Sequence, residues 1–169
     1  TDCQSDRERI EFIQNRPPKQ GSDVWVGYSV LLDKNWPKLG QKMYTKVGQW
    51  HLPRWKGKGQ GPTLLMEMTD RCLSVTVKDP RFADDNPMKP APDLAKDCIA
   101  TRSQMIGKWN RVVVNAKWTT EANGFLRIYL NGKLKWQHEG QTINKPIAPY
   151  FRYGLYRSFV SRCAGGCAT

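Results

Sequence analysis

The run FLRIYLNGKLKWQ, Phe125 to Gln137, carries the tightest local constraint in the chain. Asn131-Gly132 interrupts two stretches in which apolar and polar residues alternate. Asn and Gly enter the left-handed backbone region at least cost, and the two-residue turn they form matches the twist of paired strands. The segment therefore predicts a β-hairpin. The same alternation recurs along the chain. RIEFIQ begins at Arg9, and DVWVGYSVLL puts Val24, Val26, Tyr28, Val30 and Leu32 on one face, because strand side chains alternate in direction. KMYTKVGQWH reads as a further strand, and PTLLMEM pairs with CLSVTV across Thr69-Asp70-Arg71. NRVVVNAKW leads into the hairpin, and YFRYGLYRSFV is the last clear strand. Leu94 to Met105 is assigned a short helical turn; no repeat or coiled coil is visible. Many strands at this spacing predict an all-β fold, a β-jelly roll sandwich with one concave sheet on which a polymer can lie. A chain of 169 residues is expected to form a single domain over 1–169 with a sizeable core.

Charge narrows the partner. Lys and Arg number 27 against 15 Asp and Glu, a net +12. Such an excess favours nucleic acid, an anionic membrane surface or an acidic polysaccharide, and does not choose among them. No apolar run is long enough to span a membrane. The five cysteines, Cys3, Cys72, Cys98, Cys163 and Cys167, include no CxxC pair and lie far from both histidines, so a zinc site is not expected. Disulfides in an exported protein are the better expectation, with Cys163/Cys167 or Cys72/Cys98 as candidates and one cysteine left over. The chain starts at Thr-Asp-Cys without a signal peptide and reads as a processed form.

Three segments carry candidate chemistry. In YFRYGLYRS, Tyr150, Arg152, Gly154 and Tyr156 share one strand face, a cation beside phenols with open space at the glycine. Phe151, Tyr153 and Leu155 share the other, which reads as core. In VGQWHLP, Gln49 and His51 point the same way while Lys46 and Trp50 alternate to the opposite face. In DRERIEF, Arg9 and Glu11 share a face as a potential polar pair. Each segment alone is equally a solvated strand face or a weak surface ion pair. Together they supply what one reaction requires. To eliminate across a uronic acid, an enzyme must remove the C5 proton beside a charged carboxylate, which makes that proton barely acidic. Gln, His and Arg can neutralise or hydrogen-bond the carboxylate where charge develops. A base must take the proton and an acid must protonate the leaving oxygen. A tyrosine beside a cation serves either purpose, because positive neighbours stabilise its phenolate. Arg152 and Tyr156 would stand about 13–14 Å apart on an ideal strand, so Arg152 is assigned to gripping substrate.

These blocks resemble the signatures of jelly-roll polysaccharide lyases, the group that holds heparin lyase I, glucuronan lyases and many alginate lyases. That group carries Arg-x-Glu-Leu, Gln-x-His and Tyr-Phe-Lys-x-Gly-x-Tyr blocks in chain order. Here they stand as Arg9-Ile10-Glu11-Phe12, Gln49-Trp50-His51 and Tyr150-Phe151-Arg152-Tyr153-Gly154-Leu155-Tyr156. The Tyr153-Gly154 pair, WNRVVVNAKW and GFLRIYLNGKL look closer to the heparin/glucuronan branch. The resemblance implies a secreted enzyme, extracellular or periplasmic and monomeric, that cleaves an acidic uronate polysaccharide by β-elimination, with no nucleic-acid or membrane partner. It implies Tyr156 as acid and potential base, and His51 as base or carboxylate neutraliser. It further implies Gln49 as carboxylate binder and Arg9 as a carboxylate-holding cation. Arg152 stands where the family has lysine, a change that keeps charge but not geometry. Family members carry strands before the arginine block and after the tyrosine block, whereas eight residues precede Arg9 and the chain stops soon after Val160. Edge strands are thus expected to be missing, or the termini rebuilt around cysteines.

Further substrate contacts are expected from Glu11 and Tyr150, and from Trp55, Lys56 and Lys58 in the loop PRWKGKGQGP, where cations could meet carboxylates and the ring a sugar. Arg111, Asn115 and Lys117 share a face, as do Arg127 and Tyr129, and either set could line the concave sheet. His138 reads as an exposed loop residue. No cofactor is required. Calcium is the one candidate, because Asp79, Asp84, Asp85 and Asn86 offer oxygen ligands. They lack an ordered ligand spacing, so a turn-rich loop is the simpler account. Two other functions fit the charge: a non-catalytic carbohydrate-binding module of the same fold, and a nucleic-acid-binding β-protein, which would lack the usual aromatic motif.

Overall fold

The computed structural model describes residues 2, 4, 6–39, 43–82 and 90–162. Its strands are β1 (Arg7–Ile13), β2 (Asp23–Leu31), β3 (Tyr44–His51), β4 (Pro62–Met68) and β5 (Cys72–Lys78). They continue as β6 (Asp93–Thr101), β7 (Trp109–Lys117), β8 (Phe125–Leu130), β9 (Lys133–Glu139) and β10 (Tyr150–Ser158), with helix α1 (Arg102–Met105) between β6 and β7. The strands form a six-stranded sheet, β1-β10-β3-β4-β5-β6, and a four-stranded sheet, β2-β7-β8-β9. All neighbours are antiparallel. The chain changes sheet between β1 and β2, β2 and β3, β6 and β7, and β9 and β10. This is the expected two-sheet jelly-roll sandwich. One of its consequences is that β1, β3 and β10, remote in sequence, lie side by side.

The alternation seen in the sequence becomes the core. Trp50, Leu64, Met66, Leu73 and Val75 from the larger sheet meet Val112, Val114, Leu126 and Ile128 from the smaller one, all almost fully buried. Each such side chain contributes roughly 1.5–3 kcal/mol by leaving water. Asn131 and Gly132 take φ of 51° and 81°, the left-handed values of the predicted hairpin turn, which joins β8 to β9. Only the last part of Leu94 to Met105 is helical, because Asp93–Thr101 pairs with β5 first. Of the two disulfide candidates, Cys72–Cys98 is formed and staples β5 to β6. Cys3, Cys163 and Cys167 lie outside the described residues.

The two sheets are not coextensive. Tyr28 of β2 packs on Phe151 and Tyr153 of β10, and Trp136 of β9 donates to Asp97 of β6 at 2.8 Å. The smaller sheet thus spans from β10 to β6 and leaves β1 beyond its edge. As a result Ile10 is 78% and Phe12 63% exposed, and Leu155 on the expected core face of β10 is 43% exposed, while Phe151 is buried. Arg111, Asn115, Lys117, Arg127 and Tyr129 belong to β7 and β8. Neither set lines the site-bearing sheet; Arg127 instead pairs with Glu139 and Tyr129 stacks on Trp25. His138 is a strand residue of β9, not a loop one, with Nε2 3.1 Å from the Gln141 carbonyl.

Candidate active site

The outer face of the six-stranded sheet gathers the three sequence blocks. β10 lies between β1 and β3, with Arg9 opposite Tyr156 and Glu11 opposite Gly154 on one side. On the other side Tyr150 pairs with His51 and Arg152 with Gln49. Gly154 makes this packing possible. Its φ is 141°, and an added Cβ would lie 2.2 Å from the Ile10 carbonyl oxygen. No L side chain fits there, so the glycine brings β1 close enough for Glu11 to reach across to β3.

The first cluster centres on Glu11, whose side chain is 6% exposed. Gln49 Nε2 donates to Glu11 Oε1 at 2.6 Å, and Arg152 stands 3.9 Å from Oε2. The guanidinium also donates to Tyr150 Oη at 2.5 Å and lies over that ring, 5.0 Å from its centroid. Arg152 Nε is buried with no hydrogen-bond partner among the described residues. The Tyr150 ring in turn stacks on His51 at 5.8 Å. His51 Nδ1 is 2.9 Å from the Leu52 carbonyl oxygen. A carbonyl only accepts, so Nδ1 is the donor in this contact. Arg9 and Glu11 share a face as expected but are not each other's partner, since Arg9 forms a two-point ion pair with Asp2 at 2.8 and 2.9 Å.

The second cluster centres on Tyr156, which is 8% exposed. Arg9 lies 5.3 Å from its ring centroid and Lys46 Nζ 4.3 Å. Lys46 corrects the strand parity assumed from sequence. A bulge between Lys46 and Gly48 inserts a residue into β3, which returns Lys46 to the face of Gln49 and His51. Lys46 pairs there with Glu67 of β4 and Tyr156 of β10. Trp50 does face the core, 1% exposed. Burial lowers the Lys46 ammonium from its usual 10.5, opposed by Glu67 and Glu11. Burial raises Glu67 from 4.5, opposed by Lys46. Beyond Tyr44, a groove of about 710 Å³ runs past Ser74 to Lys96 and the disulfide.

The loop after His51 and the Asp79 carboxylate complete the placement of the candidate residues. The PRWKGKGQGP loop forms a tight turn, with reciprocal Trp55–Lys58 backbone hydrogen bonds of 3.0 Å and positive φ at Lys56 and Gly57. Lys56 lies 6.0 Å from the Trp55 ring, and Lys58 is exposed. Asp79, offered as a calcium ligand, is held by Arg81 through both carboxylate oxygens at 2.5 to 3.1 Å. Asp84, Asp85 and Asn86 lie outside the described residues.

A family model described as polysaccharide lyase matches residues 1–167. The chain belongs to the polysaccharide lyase family. The fold of this polysaccharide lyase is similar to that of an endo-β-1,4-glucuronan lyase from the fungus Trichoderma reesei, at 21% identity and a TM-score of 0.72 over 98% of this chain and 69% of that one. It is also similar to a family 7 alginate lyase in complex with product, at 17% identity and a TM-score of 0.62 over 96% and 69%. An alginate lyase from Pseudomonas aeruginosa matches at 15% identity and a TM-score of 0.58 over 88% and 64%. No curated protein sequence matches significantly. Among the described residues, no helix is long and apolar enough to cross a membrane.

Proposed function

We propose that this polysaccharide lyase acts on a uronate-containing polymer and cleaves it by β-elimination on the outer face of the six-stranded sheet. The observation that carries the proposal is the placement of Gln49 and His51 of β3, Arg152 and Tyr156 of β10, and Arg9 and Glu11 of β1 on adjacent strands of one sheet, in two neighbouring clusters. In the elimination the C5–H bond breaks and its electron pair forms the C4=C5 double bond. The C4–O bond breaks, and the leaving oxygen takes a proton. Gln49 and Arg152 hydrogen-bond and neutralise the uronate carboxylate, where charge accumulates as the proton departs. Tyr156 protonates the leaving oxygen, and its phenolate or His51 Nε2 receives the C5 proton. Arg9 supplies a second cation beside Tyr156, and Tyr150 orients Arg152 and His51. Glu11 holds Gln49 and Arg152 in place, and Trp55, Lys56 and Lys58 meet the polymer beyond His51.

The polymers named for the structural neighbours, glucuronan and alginate, are both uronates, which supports the substrate class. A disulfide between β5 and β6 supports action in an oxidising compartment outside the cytosol. The test is incubation with glucuronan, alginate and heparin while ultraviolet absorbance of an unsaturated uronate is followed. Growth of that absorbance with one polymer is expected. Binding without product from any of them would make the domain a carbohydrate-binding module instead.

A further inference from the structure

We infer that Lys46 is a positioning residue for the elimination: its ammonium seats the Tyr156 ring and stabilises the negative charge that the Tyr156 oxygen carries whenever its proton is on the substrate. The inference rests on Tyr156 being the acid proposed above, and it adds a residue from outside the three blocks.

The geometry is specific. The bulge in β3 brings Lys46 to this face, and a second irregularity, between Tyr153 and Tyr156 of β10, sets it opposite Tyr156. Its Nζ lies 4.3 Å from the Tyr156 ring centroid and 4.9 Å from that of Tyr44, so the ammonium sits between two aromatic rings. A cation over a ring is attracted by it, and more strongly when partly desolvated. Arg9 reaches the same ring but is also held by Asp2. The groups facing Lys46 are Arg7 and Glu11 from β1, Glu67 from β4, Lys78 from β5 and Tyr156 from β10. Glu67 is its cross-strand partner and is 6% exposed. A buried carboxylate opposite Lys46 favours the charged ammonium, which its burial opposes.

The proton inventory shows when this charge matters. Tyr156 O–H breaks as the leaving oxygen gains its proton, leaving a phenolate. Where Tyr156 is also the base, the phenolate is the state that takes the C5 proton, which Tyr156 then passes to the leaving oxygen; where His51 takes the C5 proton, solvent reprotonates the phenolate afterwards. Lys46 stays protonated throughout and exchanges nothing. Its contribution is confined to states in which the Tyr156 oxygen is anionic, so it acts on turnover rather than on ground-state binding.

Four variants test this on glucuronan, alginate and heparin, with melting curves for each. Lys46→Met is expected to lower kcat about 100-fold, the lower end of the scale for losing a donor to developing negative charge, with KM little changed. Where Tyr156 is also the base, the pH at which kcat rises should move upward, because the phenolate has lost a cation; where His51 is the base, that limb stays in place and the loss appears in the plateau kcat. Lys46→Arg keeps the charge and should restore most of the loss. If Lys46→Met does not fold, Lys46→Met/Glu67→Gln removes both members of the buried pair and leaves no uncompensated charge. It should show the same loss of kcat. Unchanged kcat in Lys46→Met, a change confined to KM, or recovery in the double variant would overturn the inference. Tyr156→Phe separates the two levels: if it retains turnover, the acid assignment itself fails, whereas a dead Tyr156→Phe beside a normal Lys46→Met sinks only the role of Lys46. If the wild type cleaves none of the three polymers, both fall together.

Discussion

Glu11 accepts a hydrogen bond from Gln49 at 2.6 Å across 38 positions of sequence. With Nε2 as the donor, the contact fixes the Gln49 amide with its nitrogen toward β1. The same carboxylate faces Arg152 from 3.9 Å. Glu11 thus aligns the two groups proposed to meet the substrate carboxylate before substrate arrives, which lowers the reorganisation left to the reaction.

Gln49→Ala should therefore raise the barrier by about 2–4 kcal/mol, as loss of one oriented donor does. Steady-state kinetics check it. A fall in kcat of less than about tenfold would mean that Gln49 does not face the developing charge.

Tyr156→Phe removes one hydroxyl and keeps the ring on which Arg9 and Lys46 lie. Turnover should be abolished while binding of an oligosaccharide, followed by calorimetry, stays close to that of the parent. Near-normal turnover would assign the proton to another group.

Gly154→Ala places a Cβ 2.2 Å from the Ile10 carbonyl oxygen at a φ of 141°. Strain of this kind costs about 1–3 kcal/mol before the backbone clash is counted. Because β1 must shift to relieve it, Arg9 and Glu11 shift as well. A lower melting temperature together with lost activity is expected; a variant matching the parent in both would show that the strands can separate without cost.

Replacing Cys72 and Cys98 by alanine opens a crosslink of 26 residues' separation. Loss of about 2–4 kcal/mol is expected from the freed unfolded chain. Denaturant titration with and without reductant measures it. If reductant leaves the parent's midpoint unmoved, the crosslink contributes nothing to stability.

Glu67 gives stability a defined pH dependence. Burial raises its folded-state value above 4.5, so from 4.5 up to that value the native state holds more proton than the unfolded chain. Stability then falls as pH rises through that window. Lys46 is lowered from 10.5, so between its folded value and 10.5 the unfolded chain binds more proton and stability rises with pH. Melting temperature against pH should show the acid-side fall in the parent and its loss in Glu67→Gln. Parallel curves for the two proteins would place Glu67 outside that linkage.

Much of the sandwich was legible because its causes are local. Asn131-Gly132 needs left-handed backbone, and that need alone fixes a hairpin. Alternation in Val24 to Leu32 needs one buried face, and the second sheet supplies it. The blocks around Arg9, Gln49 and Tyr156 were visible as residue types in order. Lys46 was misread because a bulge inserts one residue into β3, and parity counting carries no signal for it. Leu155 was misread because alternation reports which face a residue takes, not whether another sheet covers that face.

The sequence by itself determined the strands, the hairpin turn and the chemical groups available, since φ preferences and two-residue alternation act over a few bonds. Only the tertiary structure decided that β10 lies between β1 and β3, that Glu11 engages Gln49 rather than Arg9, and that Lys46 meets Tyr156. Those relationships depend on strand order and on two ladder irregularities, one in β3 and one in β10, which two-residue alternation does not encode.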